Sequence, residues 1–310
     1  MKKHFTYPSE DGITHIHAIE WIPEKEVKGI LQISHGMVEY IDRYDDFAGY
    51  LAQHGVYVVG NDHLGHGLSV QRDDLHGYFH KTKGNEYVIG DIHRLRKITR
   101  KKYPHVPYFM LGHSMGSFLI RQYIELHGKG LSGVIIMGTG SQPEPVLAAG
   151  KCLCRCIAAF KGWMYRSALI DSMAFASYNQ HFEPSRTDKD WLTKDEKVVD
   201  AYLASPWCSF RFTVNAYYHM FRGIEFLQKK KNIRKIPRTL PLFLVSGADD
   251  PVGNFGKSIH KVYNSYKSAG IRDVRIKLYP NDRHEILNET DRQQVYEDLL
   301  KWMENIMPNT

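Results

Sequence analysis

Short apolar runs alternate along most of the chain with segments that have helical periodicity. The apolar runs cover residues 29–34, 55–60, 108–111, 131–138, 240–246 and 274–279. Apolar positions recur at helical spacing in segments 42–53, 86–102, 115–127 and 256–268. Strands that alternate with helices predict an α/β fold, with a mostly parallel sheet covered by helices on both faces.

The two ends of the chain carry further signals. The turn residues at 9–12 and the alternation at 14–21 predict an N-terminal hairpin, which brings the predicted sheet to eight strands. At the other end, Thr290 and Gln293 fit a capping box. The apolar face of a last helix follows, at Val295, Leu299, Trp302, Met303 and Ile306.

The alternation breaks between residues 142 and 228. Apolar residues are scattered at helix-like spacing there, and two helices are predicted, a polar one at 188–203 and an aromatic-rich one at 210–221. We interpret residues 142–228 as a helical cap inserted between two parts of the core, residues 1–141 and 229–310. The alternative is a set of ordinary sheet-covering helices with an unusually long connection.

Composition places the chain among ordinary globular proteins. It has 310 residues, 43% of them hydrophobic and 24% charged, and no apolar run approaches the ~20 residues of a membrane span. Lys2 and Lys3 precede no apolar stretch, so we expect no secretory signal and a cytoplasmic location. Cysteines stand at 152, 154, 156 and 208 without histidines at zinc-finger spacing. We therefore favour reduced thiols in an apolar helix over a soft-metal site.

The net charge of +7 includes one basic stretch at 229–238. Its cations are Lys229, Lys230, Lys231, Arg234, Lys235 and Arg238. We interpret the stretch as a solvated face or linker, with transient contact to an anionic membrane surface as the alternative. No recognised motif or aromatic-basic interleaving supports a nucleic-acid partner.

The pentapeptide at 112–116 reads Gly-His-Ser-Met-Gly, between a predicted strand and a predicted helix. This G-x-S-x-G pattern at a strand-to-helix turn is typical of a nucleophile elbow, in which the serine hydroxyl projects above the sheet. Ser114 is therefore the candidate nucleophile of a serine hydrolase.

A serine nucleophile needs a base and a carboxylate that orients the base, and elbow-type hydrolases carry them in the order Ser, Asp or Glu, His. The strand that ends at Gly247 is followed by Asp249 and Asp250, and these residues alone do not decide between the two. His284 is the only histidine of the loop after the last strand, so it is the predicted base. His113 adjoins the nucleophile, but we expect it to point away from it.

A developing oxyanion needs backbone N–H donors. The predicted donors are Met115, directly after the nucleophile, and Met37, in a glycine-containing loop after an early strand. The loop at 61–67 contains Asp62, His63 and His66 and could be read as a metal site. We favour a structural loop held by its own hydrogen bonds.

Three motifs together resemble the monoacylglycerol lipase and lysophospholipase branch of the α/β-hydrolases, which includes serine aminopeptidase-like sequences. They are His35-Gly36-Met37-Val38-Glu39-Tyr40 with Arg43-Tyr44, the loop at 62–69, and the elbow at 112–116. The resemblance is strongest at 28–140 and 240–287. It implies the α/β-hydrolase fold. It also implies Asp250, three residues after Gly247, as the catalytic acid and His284 as the base.

We therefore expect a carboxylic ester hydrolase that forms an acyl-enzyme on Ser114 and needs no metal or organic cofactor. The apolar, aromatic cap suits an acyl chain, so the expected substrates are small-molecule esters such as monoacylglycerols or lysophospholipids. An aryl or cinnamoyl esterase uses the same triad, as does an amidase or aminopeptidase, for which Glu144, Asp171 and Glu183 could hold an amine. A non-catalytic ligand-binding module is the remaining alternative. Acyl-chain length and oligomeric state stay open.

Overall fold

The computed structural model describes residues 1–308. Its sheet has the order β1-β2-β4-β3-β5-β6-β7-β8, with β1 and β2 antiparallel to their neighbours and the other strands parallel. The strands are β1 Lys2–Pro8, β2 His15–Trp21, β3 Gly29–Ser34, β4 Val56–Asn61, β5 Tyr108–His113, β6 Gly133–Met137, β7 Leu242–Gly247 and β8 Val274–Tyr279. The predicted eight-stranded, mostly parallel sheet is confirmed.

Helices cover both faces of this sheet. They are α1 Asp45–Gln53, α2 Gly84–Lys102, α3 Met115–His127, α4 Glu144–Lys161, α5 Ala168–Phe175, α6 Glu196–Ala204, α7 Val214–Leu227, α8 Lys230–Ile233, α9 Lys257–Ser268 and α10 Arg292–Glu304. Successive residues of β5 pack into different cores, Tyr108 and Met110 beside α2 and α3, Phe109 and Leu111 beside α1 and α10. This is the alternation expected of a strand buried on both faces.

Helices α4 to α8 lie between β6 and β7, and the described residues contain no strand there. Helix α4 packs on α7, and α7 packs on α3, the helix that follows the elbow. The segment is thus helical, as expected. Its division from the core at residues 142 and 228 stays a prediction.

Two local predictions were wrong. The last helix starts at Arg292 with no side-chain cap, so Thr290 and Gln293 form no capping box. The polar segment at 188–203 becomes helical only at Glu196, because the carboxylate of Asp195 caps that helix by accepting from the amide of Lys197 at 3.1 Å. Upstream, turns surround Asp190, whose carboxylate accepts from the amide of Arg186 at 2.6 Å.

Within residues 1–308, no helix combines the length and the apolar character that crossing a membrane requires.

Candidate active site

Ser114 lies at a sharp turn between β5 and α3. Its backbone has φ 54° and ψ −120°, a left-handed conformation that a non-glycine residue adopts only under constraint. Both flanking glycines are sterically required: a Cβ on Gly116 would overlap the carbonyl of Ser34, and one on Gly112 would overlap the carbonyl of Gly116. The predicted elbow is therefore present in its geometry.

The structure pairs His284 with Asp250 and not with Asp249. Nδ1 of His284 lies 2.9 Å from Oδ1 of Asp250, and both side chains are buried. The Asp250 carboxylate also accepts from the hydroxyl of Ser246 and the amide of Val252, each at 2.9 Å. Asp249 is partly exposed, and its amide donates to the carbonyl of Asp282 at 2.9 Å.

This environment favours an ionised Asp250. Burial alone would raise its pKa, but the charge and hydrogen bond of His284 outweigh burial and hold the pKa of Asp250 below its ordinary value. The Nδ1–H of His284 then points to the carboxylate, which leaves Nε2 free to act as a base.

The loop between β3 and α1 passes directly against the nucleophile. A Cβ on Gly36 would lie 2.5 Å from Oε1 of Glu39 and 3.1 Å from the Cβ of Ser114, so the absence of a side chain lets the loop approach this closely. The next residue, Met37, lines the same cavity as Ser114 and Met115. The structure thus brings together all five residues predicted from the sequence.

A buried cluster of four ionisable side chains, which we call the charged cluster, lies beside this site. It consists of Glu39, Arg43, His113 and Glu285. Arg43 donates to Glu39 at 2.9 Å and, through both terminal nitrogens, to Glu285 at 2.8 and 2.7 Å. Glu39 and Arg43 belong to a motif noted in the sequence, but nothing in the sequence predicted that they pair or pointed to His113 and Glu285 as their partners.

Electrostatic pairing offsets burial throughout the charged cluster. Burial would raise the pKa of Glu39, but its hydrogen bond to His113 and the nearby Arg43 guanidinium hold that pKa well below the ordinary value. Burial would lower the pKa of Arg43, but Glu285 and Glu39 raise it. The Glu39 carboxylate and the Arg43 guanidinium are therefore ionised at neutral pH.

Two cavities meet at Ser114. One, of about 320 Å³, is the more polar of the two; its lining is mixed and includes Asp171, Asp188, Lys189, Ser209 and Arg211. The other, of about 390 Å³, is apolar and is lined among others by Phe118, Leu147, Leu153, Ile170, Met220 and Val252. Met37, Ser114, Phe175 and Trp191 line both cavities.

The acidic residues considered as amine anchors are not equivalent. Asp171 lines the polar cavity, but its carboxylate is already bonded to Nε of Arg211 at 3.2 Å and to the hydroxyl of Tyr217 at 2.8 Å. Glu144 lines a separate surface groove, and Glu183 accepts from the amide of Ser185 at 3.0 Å. None of the three thus presents a free carboxylate to Ser114.

The histidine-containing loop at 61–67 is held by hydrogen bonds within it and to its neighbours, as expected of a structural loop. The carboxylate of Asp62 accepts from the amides of Ile41 and Leu68 at 2.8 and 2.9 Å. A Cβ on Gly67 would overlap this carboxylate, which fixes glycine at the turn. In the part of the chain that the structure describes, no group of three metal-ligating side chains is placed to hold a cation. The thiols of Cys152 and Cys156 are exposed, and that of Cys154 is buried.

The sheet order, the elbow and the His284–Asp250 pair define an α/β-hydrolase. A family model described as serine aminopeptidase, S33, matches residues 25–291, and the chain belongs to this family.

Comparison with individual proteins places the chain among lipases and esterases. It is 36% identical over 304 residues to a monoglyceride lipase homolog of Monkeypox virus, with 94% of this chain and 95% of that protein covered. It is 25% identical to a monoacylglycerol lipase of Mycolicibacterium smegmatis, with 91% and 90% covered. A carboxyl esterase from Bacillus coagulans, solved in complex with glycerol, has a TM-score of 0.91 and 28% identity, with 98% of both chains covered. The prediction of a carboxylic ester hydrolase is confirmed.

Proposed function

We propose that the protein hydrolyses esters that join an apolar acyl chain to a small polar alcohol, such as monoacylglycerols or lysophospholipids. One observation carries the proposal: Ser114 lies where an apolar cavity of about 390 Å³ meets a more polar cavity of about 320 Å³. The acyl chain fits the apolar side and the alcohol fits the polar side. The relatives described as monoglyceride lipases support the same substrate class.

In the proposed mechanism, Oγ of Ser114 attacks the ester carbonyl while Nε2 of His284 takes its proton. The backbone N–H groups of Met37 and Met115 stabilise the oxyanion. His284 returns the proton to the leaving alcohol, and water then hydrolyses the acyl-enzyme by the reverse sequence. Asp250 keeps the imidazole in the required tautomer and stabilises the imidazolium.

The helical segment 142–228 acts in this proposal as a cap on a core formed by residues 1–141 and 229–310. It supplies most of the apolar lining through α4, α5 and α7. The pairing of Asp171 with Arg211 argues against an aminopeptidase, because an incoming amine would have to displace the guanidinium. An aryl ester remains the competing substrate, since Phe175 and Trp191 line both cavities.

The decisive experiment is a substrate panel on wild type and Ser114→Ala. It contains monoacylglycerols and lysophospholipids of several chain lengths, a cinnamoyl ester and aminoacyl amides. We expect Ser114-dependent turnover of the acyl esters and little of the amides. Equal turnover by both proteins would refute the mechanism, and a preference for cinnamoyl esters or amides would refute the substrate class. Labelling by a fluorophosphonate should require both Ser114 and His284.

Two further statements belong to the proposal. The basic stretch at 229–238 contacts anionic membrane surfaces transiently; Lys230, Lys231 and Arg234 are exposed and form no ion pair among the described residues. Co-sedimentation with anionic vesicles, compared with neutral ones, tests this contact.

The protein is located in the cytoplasm, in agreement with its four free cysteines.

A further inference from the structure

His113 lies at the centre of contacts that the proposed mechanism does not use. Its Nδ1 is 3.2 Å from Oε1 of Glu39 and 3.1 Å from the hydroxyl of Tyr44. Its Nε2 is 3.2 Å from the backbone carbonyl of His284. The imidazole is buried, and its ring centroid is 4.7 Å from that of His284.

These contacts favour a doubly protonated His113. A backbone carbonyl can only accept a hydrogen bond, so Nε2 must carry a proton to bond to it. The Glu39 carboxylate also only accepts, so Nδ1 can bond to its Oε1 at 3.2 Å only as a donor, with the hydroxyl proton of Tyr44 directed to Glu39. Nδ1 must therefore carry a proton as well. Burial would lower the pKa of His113, but Glu39 raises it above the ordinary value, in agreement with this geometry.

The contacts of His113 join two loops that are distant in sequence. On one side, Glu39 accepts from the amide of Gly36 and so fixes the loop that contains Met37. On the other side, the Nε2–H of His113 holds the backbone of His284. Arg43 closes the ring by binding both Glu39 and Glu285. A shift of either loop would thus break charge-assisted hydrogen bonds within a buried site.

We infer that His113 is a buried imidazolium that acts as a positioning residue. It holds the loop that contains His284 against the loop that contains Met37, and its charge facilitates loss of a proton from His284. The inference rests on the proposed function of His284. With His113 charged, the charged cluster holds two cations and two anions and is neutral overall. Loss of any one of these four charges would leave a net charge beside His284.

The net charge near His113 and His284 depends on the ionisable groups that face them. Those near His113 and His284 are Glu39, Arg43, Tyr44, Tyr202, Cys208, Asp250 and Glu285. Asp250 is already paired with Nδ1 of His284. Burial raises the pKa of the Cys208 thiol to about 12 and that of the two tyrosines well above 10, so they stay neutral at assay pH. The cluster charge therefore depends on Glu39, Arg43, Glu285 and His113.

The test measures kcat/KM for a water-soluble ester against pH in His113→Gln and Glu285→Gln. His113→Gln leaves one negative charge beside His284, so the acid-side midpoint of the profile should rise by about 0.5–1 pH unit. Glu285→Gln leaves one positive charge, so the midpoint should fall by a similar amount. A purely structural role would lower activity at every pH without these opposite shifts. Unmoved midpoints, or shifts in the same direction, would overturn the inference.

The exposed histidine His54, whose Nδ1 bonds to the carbonyl of Tyr50 on α1, provides the matched control, and His54→Gln should leave the midpoint unchanged. A second measurement does not depend on a variant that folds or on catalysis. In the wild type, the ¹⁵N chemical shifts of His113 should show both ring nitrogens protonated at pH 7.5. A neutral His113 would refute the inference even if Ser114-dependent hydrolysis is found. Loss of Ser114 dependence would instead refute the proposed function.

Discussion

The hydroxyl of Tyr202 donates a hydrogen bond to the carbonyl of Val38 at 3.0 Å. Tyr202 belongs to α6, whereas Val38 follows the predicted oxyanion donor Met37 and has a left-handed backbone with φ 55°. The ring of Tyr202 also covers the guanidinium of Arg43 at 4.9 Å. A residue of the helical segment between β6 and β7 thus contacts both the loop that contains Met37 and the charged cluster.

Tyr202→Phe should lower kcat several-fold with a smaller change in KM, because it removes the hydrogen bond that fixes the loop after Met37 but keeps the ring over Arg43. The expected loss of unfolding free energy is about 1 kcal/mol. Steady-state kinetics and urea unfolding measure the two effects. An unchanged kcat would show that the loop is held without this contact.

Asp250→Asn should reduce kcat by about 10,000-fold, because an amide in place of the carboxylate favours the wrong tautomer of His284. Asp249→Asn is the matched control, and it should change kcat by less than about threefold since Asp249 does not contact His284. Steady-state measurement of kcat at pH 8 distinguishes the two variants. A larger loss at Asp249 would reverse the assignment of the acid.

Gly116→Ala should abolish fluorophosphonate labelling, because the new methyl group would overlap the carbonyls of Ser34 and His35. Overpacking of this kind costs about 1–3 kcal/mol or more. Gly49 provides the contrast. It lies within α1 with no atom within 4 Å of a new Cβ, so Gly49→Ala should raise the unfolding free energy by up to about 1 kcal/mol. Thermal unfolding and probe labelling of both variants test this difference.

Leu153→Trp should lower kcat/KM for long acyl esters about tenfold or more relative to butyryl esters, because the larger side chain fills part of the apolar cavity. Phe160→Trp lies on the same helix, but Phe160 is 88% exposed, so it should leave the ratio unchanged. Competition between long and short esters gives the ratio directly. A fall for both chain lengths alike would place the acyl chain elsewhere.

Stability should fall as the pH drops below about 6.5. His35, His63 and His66 are buried together; burial lowers the pKa of His63 to about 4, that of His66 to about 3, and that of His35 well below 6.5. At these three sites the unfolded chain therefore binds more protons than the folded one between pH 6.5 and about 4. The loss approaches about 1.4 kcal/mol per histidine and pH unit.

Urea unfolding at pH 7.5 and 5.0 measures this slope. His66→Phe should make it less steep, because Phe79, Phe210 and Phe212 already surround His66 and a phenyl ring fits there without titrating. His54→Gln should leave the slope unchanged. An equal slope in all three proteins would assign the acid sensitivity to other groups.

Much of this molecule could be predicted from local pattern. Strands buried on both faces read as continuous apolar runs, and the elbow, the acid turn and the base loop follow strands at recognisable positions. The role of His113 could not be predicted, since it depends on Glu39 and His284, which only the fold brings to it. The late start of α6 was missed because helical periodicity does not show that the side chains of Asp190 and Asp195 bind nearby amides.

The left-handed backbone of Ser114 has an evolutionary consequence. Glycine would relieve the conformational strain at this position, so the substitution that abolishes the nucleophile should also make the protein more stable. Only selection for turnover keeps a serine there. A duplicated copy freed from that selection would be expected to lose its nucleophile early and keep its fold, leaving a stable binding protein with two adjoining cavities.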